Sequence, residues 1–302
     1  MPKVLVIGSL NYDLVSVVKR LPKSGETIHS INYYENPGGK GANQAVAAAR
    51  LGAAVHFIGK VGQDEHGDIL LSSLKNNQIN AETIRREGST GKAFITVDQA
   101  GNNHITLMQG ANYLITKEDI DQSMELFKES DIILLQLEIP LDVVAYAINV
   151  AHSLNKYIIL NPAPSAKLDD EIFKKISLMV PNETELQELT RLQLHSIEEI
   201  ETAANTLLDK GIKDVVVTLG SKGSLYISKH KIKKIEAFKT NVVDTTAAGD
   251  TYIGALAVEL AKGRSMEDAM KFASAASAIC VSKKGAMPSI PRLAEVEKFL
   301  EL

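Results

Sequence analysis

Short apolar runs recur along the chain at residues 4–7, 55–58, 132–135, 157–160, 178–180 and 215–219. They are rich in Val, Ile and Leu and lack the alternation of a half-exposed strand, which marks strands buried on both faces of a sheet. The stretches between them carry apolar residues at helical spacing and predict helices over 41–51, 67–76, 117–128, 140–154 and 196–210. Strand alternating with helix builds right-handed βαβ units. The expected fold is therefore α/β, with a mainly parallel central sheet flanked by helices. Residues 249–262 and 265–281 read as two long helices, so rich in Ala that they must pack closely.

Two regions interrupt this rhythm. Over 14–34 and again over 92–108, β-branched and polar residues alternate between turn signals such as Pro22, Ser24-Gly25 and Gly101-Asn102. Such segments suit exposed antiparallel strands, and together they predict a small β-sheet lid over one end of the main sheet. No flexible linker separates them from the rest, so they read as excursions from one domain spanning 1–302.

Composition narrows the function classes. Of 302 residues, 45% are hydrophobic and 23% charged, as in ordinary globular proteins. The 33 basic and 37 acidic residues are intermixed, and no basic stripe argues for nucleic acid. A single cysteine, Cys280, excludes an internal disulfide framework and fits a reducing compartment; its apolar neighbours make it a small buried hydrophobe. The first residues lack a signal-peptide pattern and no run is long enough to span a bilayer, so the expectation is a cytoplasmic protein with no membrane partner. The seven histidines are dispersed without metal-ligand spacing.

Ligands of open parallel sheets gather beyond the carboxyl ends of the strands. Three segments there carry candidate chemistry. In Asp244-Thr245-Thr246-Ala247-Ala248-Gly249-Asp250-Thr251, small residues open a helix whose first amides and dipole suit an anion. Asp250 is then either a general base beside that anion or simply the helix cap. In Asn36-Pro37-Gly38-Gly39-Lys40-Gly41-Ala42-Asn43-Gln44, the glycine pair brings backbone close to a ligand, and Lys40 and Asn43 offer donors to hydroxyls; the alternative is a plain turn before a helix. In Gly8-Ser9-Leu10-Asn11-Tyr12-Asp13, an extended backbone sets Asn11 and Asp13 on one side, a pairing suited to a polyol, unless the segment is only a turn. No Walker loop, protein-kinase signature or dinucleotide fingerprint is present.

Taken together and in this order, these motifs resemble the ribokinase-like carbohydrate kinases. The likeness runs nearly end to end, from Gly8–Asp13 through Gly38–Gln44 to Lys284-Gly285-Ala286-Met287-Pro288-Ser289. It implies an ATP-dependent transfer of the γ-phosphate to the 5-hydroxyl of D-ribose, with deoxyribose, fructose or a nucleoside as related acceptors. The resemblance makes Asn11, Asp13, Gly39, Lys40, Asn43 and Glu138 sugar contacts, Asp250 the catalytic base, and Ala247, Ala248 and Gly249 the anion hole for the γ-phosphate. It assigns Asn182, Thr218, Gly220, Ser221, Gly223, Gly249 and Ser274 to the nucleotide, with Ser274 standing where the family often has His or Asn. Glu185, in Asn182-Glu183-Thr184-Glu185, would be associated with Mg²⁺. Asp244, Thr246, Cys280, Lys283, Gly285 and Ser289 match ligands of a K⁺ ion, mostly through backbone carbonyls, so the Lys283 ammonium must point away. The lid would close on the sugar, with Ala93, Phe94 and Ile105 as residues that tune the acceptor, and would clasp a second subunit into a homodimer. A sugar-binding regulator without catalysis is the competing class; the presence of Asp250 and its anion-hole neighbours stands against it.

Overall fold

A computed structural model gives the structure of residues 1–301; the single-domain expectation runs on to Leu302, which lies outside the described residues. The main sheet has eight strands in the order Lys231–Ile235, Ser224–Ser228, Asp214–Thr218, Leu178–Met179, Tyr157–Leu160, Ile132–Leu135, Lys3–Ile7, Ala54–Ile58. The last six run parallel, as the alternation of elements predicts, and the first two join as an antiparallel hairpin at one edge. The pleat divides each apolar run between two layers. Val4, Val6, Ile132 and Leu134 pack with helices Lys40–Arg50, Ala248–Ala261 and Met266–Val281. Leu5, Ile7, Ile133 and Leu135 pack with Leu141–Ser153 and Ile197–Asp209 on the other face. Among the described residues no helix is long and apolar enough to cross a membrane.

The small sheet is real, but it is mixed rather than antiparallel. Its order is Asn32–Gly38, Asn11–Val18, Gly91–Asp98, Asn103–Met108, and the two inner strands run parallel, Asn11 pairing with Gly91 and Val18 with Asp98. The reason is that both inner strands leave the main body in the same direction, while the outer strands return antiparallel beside them. A second departure lies at 117–128, where one helix was expected. The chain makes two, Lys117–Asp121 and Met124–Glu129, because the Ser123 hydroxyl bonds back to the Asp119 carbonyl at 2.8 Å and competes with the helix ladder. Helices Glu183–Thr190 and Leu293–Glu301 are additions to the expected set.

The two Ala-rich helices do pack closely, against each other and against Lys40–Arg50. Gly254 marks the tightest point: a Cβ there would lie 2.6 Å from Ala47 Cβ and 2.7 Å from the Gln44 carbonyl oxygen. Only a residue without a side chain lets Ala248–Ala261 approach Lys40–Arg50 so nearly, and that approach brings the first turns of both helices together. Gly254→Val is expected to lower the unfolding free energy by about 1–3 kcal/mol through overpacking. Urea midpoints at unchanged m-value measure this; a variant as stable as the parent contradicts the packing.

Candidate active site

The strand Lys3–Ile7 delivers Gly8 and Ser9 beyond the carboxyl edge of the sheet, and the chain runs on into the lid strand that carries Asn11 and Asp13. At the far end of the returning lid strand, Gly38 and Gly39 lead into helix Lys40–Arg50. Gly39 takes φ +94°, and a Cβ on it would lie 2.6 Å from the Asn11 amide nitrogen, so the two segments meet backbone to backbone. Glu138, just past strand Ile132–Leu135, closes the group. Its Oε2 accepts from the Ser9 hydroxyl at 2.5 Å and, more distantly, from Asn11 Nδ2 and the Lys40 amide, both at 3.4 Å. The expected sugar contacts Asn11, Asp13, Gly39, Lys40, Asn43 and Glu138 thus converge from four elements, most of them buried.

Asp250 joins the same group from the first turn of helix Ala248–Ala261. Its Oδ2 accepts from Asn43 Nδ2 and its Oδ1 from Gln44 Nε2, each at 3.0 Å. Asp250 does not cap the helix: that position belongs to Ala247, which sits in the left-handed region (φ 60°, ψ 10°) and makes no side-chain cap. A residue with a Cβ holds that conformation at a cost of about 1 kcal/mol. In the first turn, Ala248 donates its N–H to the Thr245 carbonyl at 3.2 Å and Thr251 donates to Ala247 at 2.8 Å. Among the described residues this leaves the Ala247, Gly249 and Asp250 amides as free donors at the helix start, so Ala248 takes a smaller part in any anion hole than its neighbours. Nothing lies within 4 Å of where a Cβ on Gly249 would project, so the helix start faces open space.

Charge is concentrated here. Burial pushes the Asp13 carboxyl up to about 7, helped by the negative charges of Glu138 and Asp250. Burial likewise raises Glu138, against the opposing pull of Lys40 and the Ser9 hydroxyl. For Lys40, burial disfavours the ammonium, yet the charges of Asp250, Glu138 and Glu185 outweigh it and hold its pKa above the usual value. One cation among several carboxyl groups suits a neutral, hydroxyl-rich ligand that can accept from Lys40 and donate to the acids.

The remaining predicted residues fall into two groups. Thr218, Gly220, Ser221 and Gly223 form the turn after strand Asp214–Thr218, beside Asn182, which bridges to Thr218. Gly220 and Ser221 are exposed, whereas Ser274 is buried within helix Met266–Val281. Asn182 and Glu185 make a capping box on helix Glu183–Thr190, so both Glu185 oxygens are engaged by Asn182, at 2.9 and 3.0 Å. Among the described residues no cluster of three His, Cys, Asp or Glu could hold a metal. Glu185 is therefore a single carboxylate, already engaged by its cap, and could meet a divalent ion only with most ligands supplied from outside the protein.

Asp244, Thr246, Cys280, Lys283, Gly285 and Ser289 also come together. Asp244 accepts from the Thr246 amide and hydroxyl at 2.9 and 2.6 Å and from the Gly285 amide at 2.9 Å, joining the two loops. Cys280 is buried, with its sulfur 3.0 Å from Ser289 Oγ. The Lys283 ammonium turns away to Glu295, at 2.5 Å, leaving an oxygen-rich loop pair that fits a monovalent cation. A cleft of about 450 Å³ lies between these loops and the inner face of the lid, lined by Asp13, Val15, Ile95, Asp244 and Lys284 among others. It meets the polar cluster at Asp13, while Asp250 and Lys40 lie beyond its lining. The Lys284 ammonium sits 4.9 Å from the Tyr34 ring centroid, linking loop to lid. Register corrects one lid expectation: Ala93 and Ile105 share the face of Asp13, but Phe94 lies on the opposite, outer face.

Sequence reasoning missed Gln44 as a contact of Asp250, and missed Ser9, Asn112, Gln136 and Asn161. Asn112 bonds the Leu10 backbone and Asn11 Oδ1 at the root of the lid. For Gln136 and Asn161 a signal existed: each is the polar residue directly after a fully apolar strand, at the ligand-bearing edge.

The pfkB family carbohydrate kinase model matches residues 1–293. A ribokinase of Staphylococcus aureus is 39% identical over 300 residues, spanning 98% of this chain and 99% of that protein. A deoxyribokinase of Salmonella typhi is 37% identical over 302 residues, 99% of each. The structure of Arabidopsis thaliana ribokinase complexed with ribose and ATP superposes with a TM-score of 0.93 at 34% identity, covering 100% of this chain and 99% of that one.

The raised Asp13 pKa fixes the sign of a stability effect. Its ordinary value is 3.8, so between that and about 7 the folded state holds the proton that the unfolded chain releases, and stability falls as pH rises through this window. Asp13→Asn removes the penalty. Its gain over wild type should be small near pH 4 and grow toward pH 8, by up to about 4 kcal/mol. Urea unfolding at the two pH values measures it, and a difference independent of pH contradicts the assignment.

Proposed function

The chain belongs to the pfkB family of carbohydrate kinases, and we propose that within it this protein transfers the γ-phosphate of ATP to the 5-hydroxyl of D-ribose, giving D-ribose 5-phosphate. One observation carries the reading. The Asp250 carboxylate is tied by Asn43 to the hydroxyl-binding cluster while the neighbouring first-turn amides and the space before Gly249 stay open. The ribose complex of a protein 34% identical, superposing at a TM-score of 0.93, supports the choice of sugar.

In this reading Asn11, Asp13, Gly39, Lys40, Asn43 and Glu138 hold the ribose hydroxyls. Asn43 Oδ1, buried and without a partner among the described residues, is an acceptor suited to one of them. Asp250 takes the proton of the attacking hydroxyl. The Gly249 and Asp250 amides, with Ala247 and Ala248 shaping the helix start, stabilise the charge that develops on the transferring phosphoryl group. Mg²⁺ bound to the nucleotide supplies further charge neutralisation. Asn182, Thr218, Gly220, Ser221 and Gly223 border the nucleotide; Ser274 contributes through helix packing, since its side chain is buried. Residues 1–302 act as one kinase domain in the cytoplasm, with 14–34 and 92–108 as its lid. Exposed Tyr33 and Phe94 on the outer lid face, and Ile105 and Leu107 on the inner, support pairing of two lids in a homodimer.

Asp250→Asn should lower turnover by about 10²–10⁴-fold while ribose affinity is largely kept. Assaying wild type and variant on ribose, deoxyribose, fructose and adenosine tests both the base and the acceptor. Equal turnover refutes the role of Asp250, and preference for another acceptor refutes ribose. The loop pair around Asp244 predicts that replacing K⁺ by a large organic cation at constant ionic strength lowers the rate; an unchanged rate removes the cation site.

A further inference from the structure

Behind Asp250 lies a chain of buried side-chain amides. Gln44 is fully buried; its Nε2 donates to Asp250 Oδ1 at 3.0 Å and to Asn161 Oδ1 at 3.1 Å, and its Oε1 accepts from Gln136 Nε2 at 2.6 Å. Asn161 in turn donates to the Val180 carbonyl at 3.0 Å. The direction of this chain is fixed by groups that cannot be reversed. The Val180 carbonyl only accepts, so Asn161 must turn its NH₂ toward it and its oxygen toward Gln44. A carboxylate also only accepts, so Gln44 must present its NH₂ to both. Its oxygen is left for Gln136, which packs over Gly8, where an added Cβ would lie 2.0 Å from Gln136 Oε1, and whose own Oε1 is buried without a partner among the described residues.

We propose that Gln44 is a positioning residue for the Asp250 carboxylate: anchored to the strand ends through Asn161 and Gln136, it pins Oδ1 and so fixes the direction from which the other oxygen meets the acceptor hydroxyl. This rests on the reading of Asp250 as the base. Gln44 does not face the substrate cluster itself; it acts through a group that does. Asn43 holds Oδ2 from the same helix. A carboxylate bound at only one oxygen can swing about its last torsion, and misplacement of a reacting group by about 1 Å costs about 10²-fold in rate. The charges of Asp13, Lys40, Glu138 and Glu185 reach Asp250 too, as would that of an ionised Cys280, and none of them is altered by changing Gln44.

The test uses Gln44→Met, which keeps length but not the donor, and Gln44→Leu, which removes the donor without adding charge and carries the test if Met does not fit. Crystal structures of the variants without substrate read the Asp250 carboxylate directly, and in them it should turn about its last torsion away from its wild-type orientation. With ribose and MgATP, kcat should fall about 10²-fold with KM for ribose within about threefold. A carboxylate that keeps its orientation in a folded variant overturns the proposal. A reoriented carboxylate in a protein whose wild type phosphorylates no sugar upholds the positioning and defeats the proposed function instead.

Discussion

The site depends on how closely two Ala-rich helices approach. Helix Lys40–Arg50 begins where the lid returns to the body, and helix Ala248–Ala261 begins where the loop of Asp244 ends. Gly254 removes the side chain that would hold them apart, and Asn43 and Gln44 then fall within hydrogen-bond reach of Asp250. Either helix alone would present one half of the chemistry. Their crossing joins a buried polar cluster suited to hydroxyls to a carboxylate and to a helix start with free amides, an arrangement that suits phosphoryl transfer to an alcohol.

The energetics of the cluster follow from that crowding. Burial drives Asp13 toward its neutral form, while three carboxyl charges keep Lys40 an ammonium despite its burial. Such a site costs the empty protein stability and regains it when a polyol satisfies the donors and acceptors, a common balance at functional sites. The strained Ala247 at the helix start belongs to the same pattern. On the opposite side, Asp244 and Gly285 join two loops into an oxygen-rich pair that borders the cleft, and Tyr34 meets Lys284 across it, so lid and loops are in physical contact.

Much of this was legible from the chain because it is local. Apolar runs such as 132–135 define strands wherever they lie, and the segments after them contain Asn11, Asp13, Glu138 and Asp250. What escaped was set by pairing across long sequence distances. Gln136 and Asn161 follow their strands, but nothing local says that both converge on Gln44. The lid strands were visible, whereas their parallel pairing, and hence the outward turn of Phe94, depends on the directions in which two remote segments leave the body. Glu185 shows the converse: its spacing from Asn182 is that of a capping box, and the structure gives it that task, which constrains how it could meet a metal. The break at Ser123 is a competition between a hydroxyl and a helix ladder that apolar periodicity does not register.

The central claim is that Asp250 stands at the acceptor hydroxyl while the helix start grips the phosphoryl group. A crystal structure with ribose and a non-hydrolysable ATP analogue tests it most directly. The account predicts an Asp250 carboxylate oxygen about 2.6–3.2 Å from the ribose 5-oxygen, with the γ-phosphate on the Gly249 and Asp250 amides. A ribose whose 5-hydroxyl points away from Asp250, or a γ-phosphate bound elsewhere, would contradict it.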